Sequence, residues 1–149
     1  MESERLTIPA QLSKRPALIA HIARACGRVG PARPASAESL ELNDPFDAEY
    51  VSAFSEIFNN IVLHGYAGGS EEHIEIDIRV DDDELITRIT EHGVPFDPGE
   101  LSAPDLSQLP EGGMGIYIVE AFVDKFDYEP GPPNTWTIKK RYRGQDQRP

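Results

Sequence analysis

From His73 to Val80 the chain alternates strictly. Ile74, Ile76, Ile78 and Val80 share one phase, and Glu75, Asp77 and Arg79 share the other. Period two of that kind predicts a strand with one buried and one wet face. Asp81-Asp82-Asp83 reads as a tight turn, and Glu84 to Glu91 as the returning strand of a hairpin. Upstream, Arg5 to Ala10 alternates weakly and reads as an edge strand closed by Pro9. Pro16 then opens a helix whose stripe runs through Leu18, Ile19, Ile22, Ala23 and Cys26. Asn43-Asp44-Pro45 is a helix start, a capping residue with proline in the first turn. Tyr50, Val51, Phe54, Ile57, Phe58, Ile61 and Val62 follow at helical spacing, and Gly65 offers a left-handed cap. Val94 to Gly113 is a long Pro-, Asp- and Ser-rich stretch, more in keeping with a functional loop than a plain connector. Helical spacing returns from Met114 to Phe126. Asp127–Tyr128 and Thr135–Tyr142 read as closing strands, with a loose tail from Arg143. The expected fold class is α+β, a two-layer α/β sandwich whose mixed, mainly antiparallel sheet carries helices on one face.

A chain of 149 residues is long enough for one domain with a real core, here expected over 1–149 with its core at about 6–141. No apolar run approaches the ~20 residues of a membrane span, and no basic-then-apolar leader pattern opens the chain. The single cysteine, Cys26, lies on an apolar helix face and reads as a core residue. A cytoplasmic location is the expectation.

The net charge of −12 is unevenly spread. Between Ala35 and Asp124 stand 21 acidic residues and only two cations, Arg79 and Arg88. Nucleic-acid binding needs a basic stripe, so this middle argues against it. A phosphate site here would depend on a divalent metal and backbone N–H groups.

Three features bear on chemistry. Glu56 and Asn60 lie four apart on the long helix, one above the other, with His64 on the same edge. A carboxylate beside an amide oxygen suits one base and one metal ligand, and the same pair fits a solvated helix edge. Glu91 shares the phase of Leu85, Thr87 and Ile89, which points it inward, where a carboxylate needs a donor. An adenine amino group would be one; the other reading is a strand-end Glu that turns into solvent or pairs with Arg88. Gly93 would let a flat base approach the backbone. Gly112-Gly113-Met114-Gly115 precedes an apolar helix, whose N-terminus favours an anion, although a lone glycine run also fits a flexible loop. It is neither a Walker loop nor a dinucleotide fingerprint.

Taken in order, Glu56-x-x-x-Asn60-x-x-x-His64-Gly65-Tyr66, x-x-Gly93-x-Pro95-Phe96-Asp97-Pro98, and Gly112-Gly113-Met114-Gly115-Ile116-Tyr117-Ile118-Val119 resemble the bacterial anti-sigma factors that are also serine-protein kinases. These belong to the GHKL superfamily, which includes gyrase, histidine-kinase and MutL ATPases. The resemblance runs from about Leu6 to Arg141 and implies the Bergerat ATP-binding fold with Mg-ATP under a lid. It assigns Asn60 to magnesium and Glu56 to the base that activates the attacking hydroxyl. His64, Glu91 and Gly93 go to the nucleotide, Gly113 and Gly115 to the phosphates, and Thr135 to the neighbourhood of the adenine. It implies a homodimer with two partners, a sigma factor and a small STAS-type anti-sigma-factor antagonist phosphorylated on serine. The alternative is a partner-binding regulator that keeps the fold without catalysis. The family usually carries Asp where this chain has Glu91.

Overall fold

The computed structural model describes residues 2–30, 44–96 and 115–143. Strand β1 (Glu2–Pro9) leads through a 3₁₀ turn (Leu12–Lys14) into helix α1 (Arg15–Gly27). Helix α2 (Pro45–Asn60) runs on into a π-helical turn (Ile61–Gly65). Strands β2 (His73–Asp81) and β3 (Glu84–Glu91) form the hairpin, and helix α3 (Gly115–Phe122) precedes β4 (Lys125–Glu129) and β5 (Asn134–Arg141). The sheet order is β1-β2-β3-β5-β4. Each of the described neighbouring pairs is antiparallel, so the mixed sheet expected from the sequence is fully antiparallel among these residues.

The alternation of β2 decides which way the sheet faces. Ile74, Ile76, Ile78 and Val80 are buried, and the β3 phase Leu85-Thr87-Ile89-Glu91 and β5 phase Asn134-Trp136-Ile138 join them on the same side. Helices α1 and α2 supply the other half of the core through Leu18, Ile22, Ala23 and Cys26, and through Tyr50, Phe54, Ile57 and Phe58. The opposite face of the sheet carries Arg5, Asp77, Arg79, Arg88, Thr137 and Lys139, which line shallow clefts. This is the expected α+β sandwich.

Local chemistry sets the helix starts. The Asp44 carboxylate accepts from Phe46 N at 2.8 Å, with Pro45 in the first turn, a cap worth about 1 kcal/mol. The far end of α2 departs from expectation. Gly65 does not take the left-handed conformation; the chain widens through the π turn and reverses at Ala67, with φ 51°. Helix α3 ends at Phe122, four residues short of the helix read from the sequence. Phe126 sits four residues past Phe122, which imitates a helical stripe, but pairing with Ile138 draws it into β4. The Lys140 ammonium caps that helix end, donating to Phe122 O at 2.6 Å.

The fold also brings the basic ends to the acidic middle. Lys140 lies 3.4 Å from Glu49, Arg5 3.5 Å from Asp77, and Arg143 3.1 Å from Asp124. Burial pushes the Asp124 carboxyl up. Hydrogen bonds from Arg141 N and the Arg143 side chain, with the charges of Arg143 and Lys140, outweigh it and hold Asp124 below its ordinary value. No described helix is long and apolar enough to cross a membrane. The expected lid from Gly99 to Gly112, with Gly113 and the tail beyond Arg143, lies outside the described residues.

Candidate functional site

Glu91 closes strand β3 and is 1% exposed. A carboxylate so placed is costly unless donors surround it. Among the described residues three donors reach it. Oε1 accepts from Gly93 N at 2.6 Å and Asn134 Nδ2 at 3.1 Å; Oε2 accepts from the Trp136 indole N–H at 2.9 Å. Arg88 is not among them, because its phase places it in the clefts of the opposite face. A carboxylate has roughly four acceptor positions. One remains, on Oε2.

Strand β5 provides two of these donors through its phase. Asn134 and Trp136 point inward, 1% and 0% exposed. Asn134 is used at both ends: Nδ2 also donates to Gly93 O at 2.9 Å, and Oδ1 accepts from Gly131 N at 2.8 Å. Thr135 lies between them and so faces the other side, in a cleft with Arg88, Lys125 and Lys139. It does not join the group that the resemblance assigned it to. Asn134 and Trp136 take the inward positions instead. The signal was available, since taking Trp136 and Ile138 as core sets the phase of the whole strand.

The segment after Glu91 is held at alternate N–H groups. His92 N donates to the Tyr66 hydroxyl at 2.8 Å, Val94 N to Gly65 O at 2.7 Å, and Phe96 N to the Tyr128 hydroxyl at 2.8 Å. Burial pushes both phenols above their ordinary range. The hydrogen bonds from His92 and Phe96 pull the other way, and the nearby charge of Glu91 adds to the rise. Gly93 is explained by backbone. A Cβ there would stand 2.5 Å from Gly65 O, so the end of α2 and the end of β3 touch only because position 93 has no side chain. The close approach read from the sequence as room for a base is filled by the π turn.

That contact joins the helix edge to Glu91. Asn60 Nδ2 donates to Glu56 O one turn back at 2.8 Å, which turns its amide oxygen away from the helix. Glu56 and Asn60 are half-buried, and His64 is exposed. The His64 ring meets the edge of Phe96 at 5.8 Å, and Phe96 meets Trp136 at 5.5 Å. A path of touching groups thus runs from His64 to the tryptophan that holds Glu91. π-helical turns are rare and gather at functional sites, and this one falls immediately after Asn60. Gly115 begins α3, which packs against α2.

The arrangement offers a hard oxygen at Asn60, a carboxylate one turn away at Glu56, and a buried acceptor at Glu91 beside a wall of aromatic rings. The Clostridium beijerinckii anti-sigma F factor is 29% identical over 100 residues, 61% of this chain and 68% of that protein. An anti-sigma F factor of Clostridium botulinum is 32% identical over 80 residues, covering 49% and 54%. The serine-protein kinase RsbW of Listeria innocua is 28% identical over 90 residues, covering 53% and 57%. Against the latter two the match spans little more than half of the relative's length. Among solved structures, the RsbU and RsbW domains of Rv1364c from Mycobacterium tuberculosis superpose with a TM-score of 0.61 at 20% identity, over 95% of this chain and 32% of that one, a likeness of fold. The family described as histidine kinase-like ATPase domain matches residues 9–139, and the chain belongs to it.

Proposed function

We propose that this chain is an Mg-ATP-dependent serine-protein kinase of a partner-switching module. It would hold a sigma factor in the cytoplasm as a homodimer and phosphorylate a serine on a small STAS-type antagonist. The observation that carries the nucleotide reading is Glu91. A buried carboxylate with one acceptor position left over suits an N–H donor, and the exocyclic amine of adenine is one. Asn60 would be the magnesium ligand, since Mg²⁺ takes oxygen donors and usually shares its shell with phosphate oxygens and water. In the acidic middle of the chain such an ion would offset phosphate charge that few side-chain cations are present to meet. When bound, Mg-ATP supplies the transferable phosphoryl group.

The rest falls to the chain's own side chains. Glu56, one turn before Asn60, would orient a substrate hydroxyl and accept its proton. His64 would border the nucleotide at the same edge. Gly113 and Gly115 would present backbone N–H groups to phosphate. The names of the relatives, anti-sigma F factor and serine-protein kinase, support this reading.

The near-saturation of Glu91 by the protein's own donors favours a second reading, a non-catalytic regulator that binds its partner without transfer. Incubating the chain with radiolabelled ATP and a STAS-type antagonist encoded beside it separates the two. Label should reach a serine of the antagonist, and Glu56→Gln should slow transfer by about 10²-fold or more while nucleotide and antagonist still bind. Tight antagonist binding with ATP bound and no label would establish the non-catalytic reading.

A further inference from the structure

The Asp usual in this family is one methylene shorter than Glu91, and the structure shows where the extra reach goes. The carboxylate extends to the indole N–H of Trp136, a residue of 0% exposure. The indole cannot swing. Tyr128 lies 4.4 Å from it, Phe96 5.5 Å and Phe126 6.2 Å between ring centroids. Asn134 is fixed as well, because its oxygen is taken by Gly131 N, which commits its NH₂ to Glu91 and Gly93. Oε1 is therefore filled by two donors and Oε2 by one, and the carboxylate cannot rotate to exchange them.

We propose that Trp136, with Asn134, is the pair that sets purine specificity at Glu91. By holding Glu91 with a single acceptor position open on Oε2, the pair makes the site demand a purine that brings a donor to that edge. The inference rests on the ATP reading proposed for Glu91. An adenine amino group completes the carboxylate's acceptor set. A guanine carbonyl would set acceptor against acceptor, with no hydrogen between them and no second open position through which a water could bridge. Trp136→Phe keeps the ring and removes the N–H. Oε2 then has two open positions, and a bridging water can reconcile the carboxylate with a carbonyl. Trp136 acts through Glu91 and is a positioning residue; a purely structural tryptophan would weaken all nucleotides alike.

The test is calorimetric titration of the full chain with Mg-ATP and Mg-GTP, parent beside Trp136→Phe. Trp136 is the only tryptophan, so its indole N–H gives one amide-type resonance that reports on the parent directly. The parent should prefer ATP by about tenfold or more, and the variant should bring the two within about twofold. In the parent, Mg-ATP should move the indole resonance further than Mg-GTP at equal saturation, and that comparison decides if the variant fails to fold. A preference that survives the substitution, with both nucleotides weakened equally, overturns the specificity role and leaves the ATP reading standing. An indole resonance that answers ATP and GTP alike also overturns it. Failure of the parent to bind either nucleotide at millimolar concentration overturns both.

Discussion

Replacing Glu91 by Asp, the residue usual in the family, should damage this protein. On the sequence alone that exchange reads as neutral or favourable for ATP. In the structure, Asp falls short by one methylene and cannot keep Gly93 N at 2.6 Å and Trp136 Nε1 at 2.9 Å together. Losing one hydrogen bond to a buried charge costs about 1.5–3 kcal/mol, with the orphaned indole N–H included in that range. The missing methylene adds roughly 1 kcal/mol of lost burial and cavity. The sum is about 3 kcal/mol, or a Tm lower by roughly 6–12 °C for a chain of this size. Urea unfolding followed by circular dichroism measures it, since that signal survives removal of the only tryptophan. In the double variant Glu91→Asp/Trp136→Phe the indole donor is gone, so the two changes should be less than additive by about 1.5–3 kcal/mol. A Glu91→Asp protein within about 0.5 kcal/mol of the parent, or strict additivity, would refute the claim that the length of Glu91 is set by Trp136.

Two further outcomes follow from the packing. Gly93→Ala places a Cβ 2.5 Å from Gly65 O, so it should separate the end of α2 from β3, lower Tm, and speed hydrogen exchange at Val94 N, whose partner is Gly65 O. Tyr50→Phe removes the 2.6 Å bond to the buried Thr87 hydroxyl and should cost about 1–3 kcal/mol near neutral pH. Burial holds the Tyr50 phenol well above 10.0, with the Thr87 bond opposing and the charges of Cys26 and Glu84 adding. The folded state thus keeps a proton that the unfolded chain releases. Its contribution is complete below the unfolded value and is lost as pH rises above it, so Tyr50→Phe should flatten the alkaline loss of stability. An alkaline limb of unchanged slope would count against the Tyr50 assignment.

Much of the architecture was legible in the pattern. The period-two run of β2 and the Asp44-Pro45 helix start appear where the spacing put them, and the inward phase of Glu91 holds to 1% exposure. What the pattern could not give was competition between local and tertiary signals. Phe126 fits a helical stripe and a strand equally well, and the pairing partner Ile138, not visible locally, decides. Gly65 looked like a left-handed cap because glycines usually are; in the fold its carbonyl packs against Gly93, whose missing side chain permits a contact between residues far apart in sequence. Thr135 lies on the face opposite Glu91, a phase that Trp136 and Ile138 as core residues already imply. The two side-chain donors to Glu91 were not visible locally, because Asn134 and Trp136 come from β5, which meets β3 only in the folded sheet.

The central claim, a magnesium-dependent nucleotide site anchored by Asn60, is tested most directly by thermal unfolding with and without Mg-ATP. With nucleotide 100-fold above its Kd, the parent should gain roughly 2.7 kcal/mol, and the gain should vanish when the metal is chelated. Asn60→Ala should remain folded and lose most of that gain. An unshifted parent at millimolar Mg-ATP, or a full shift that persists in Asn60→Ala, would contradict it.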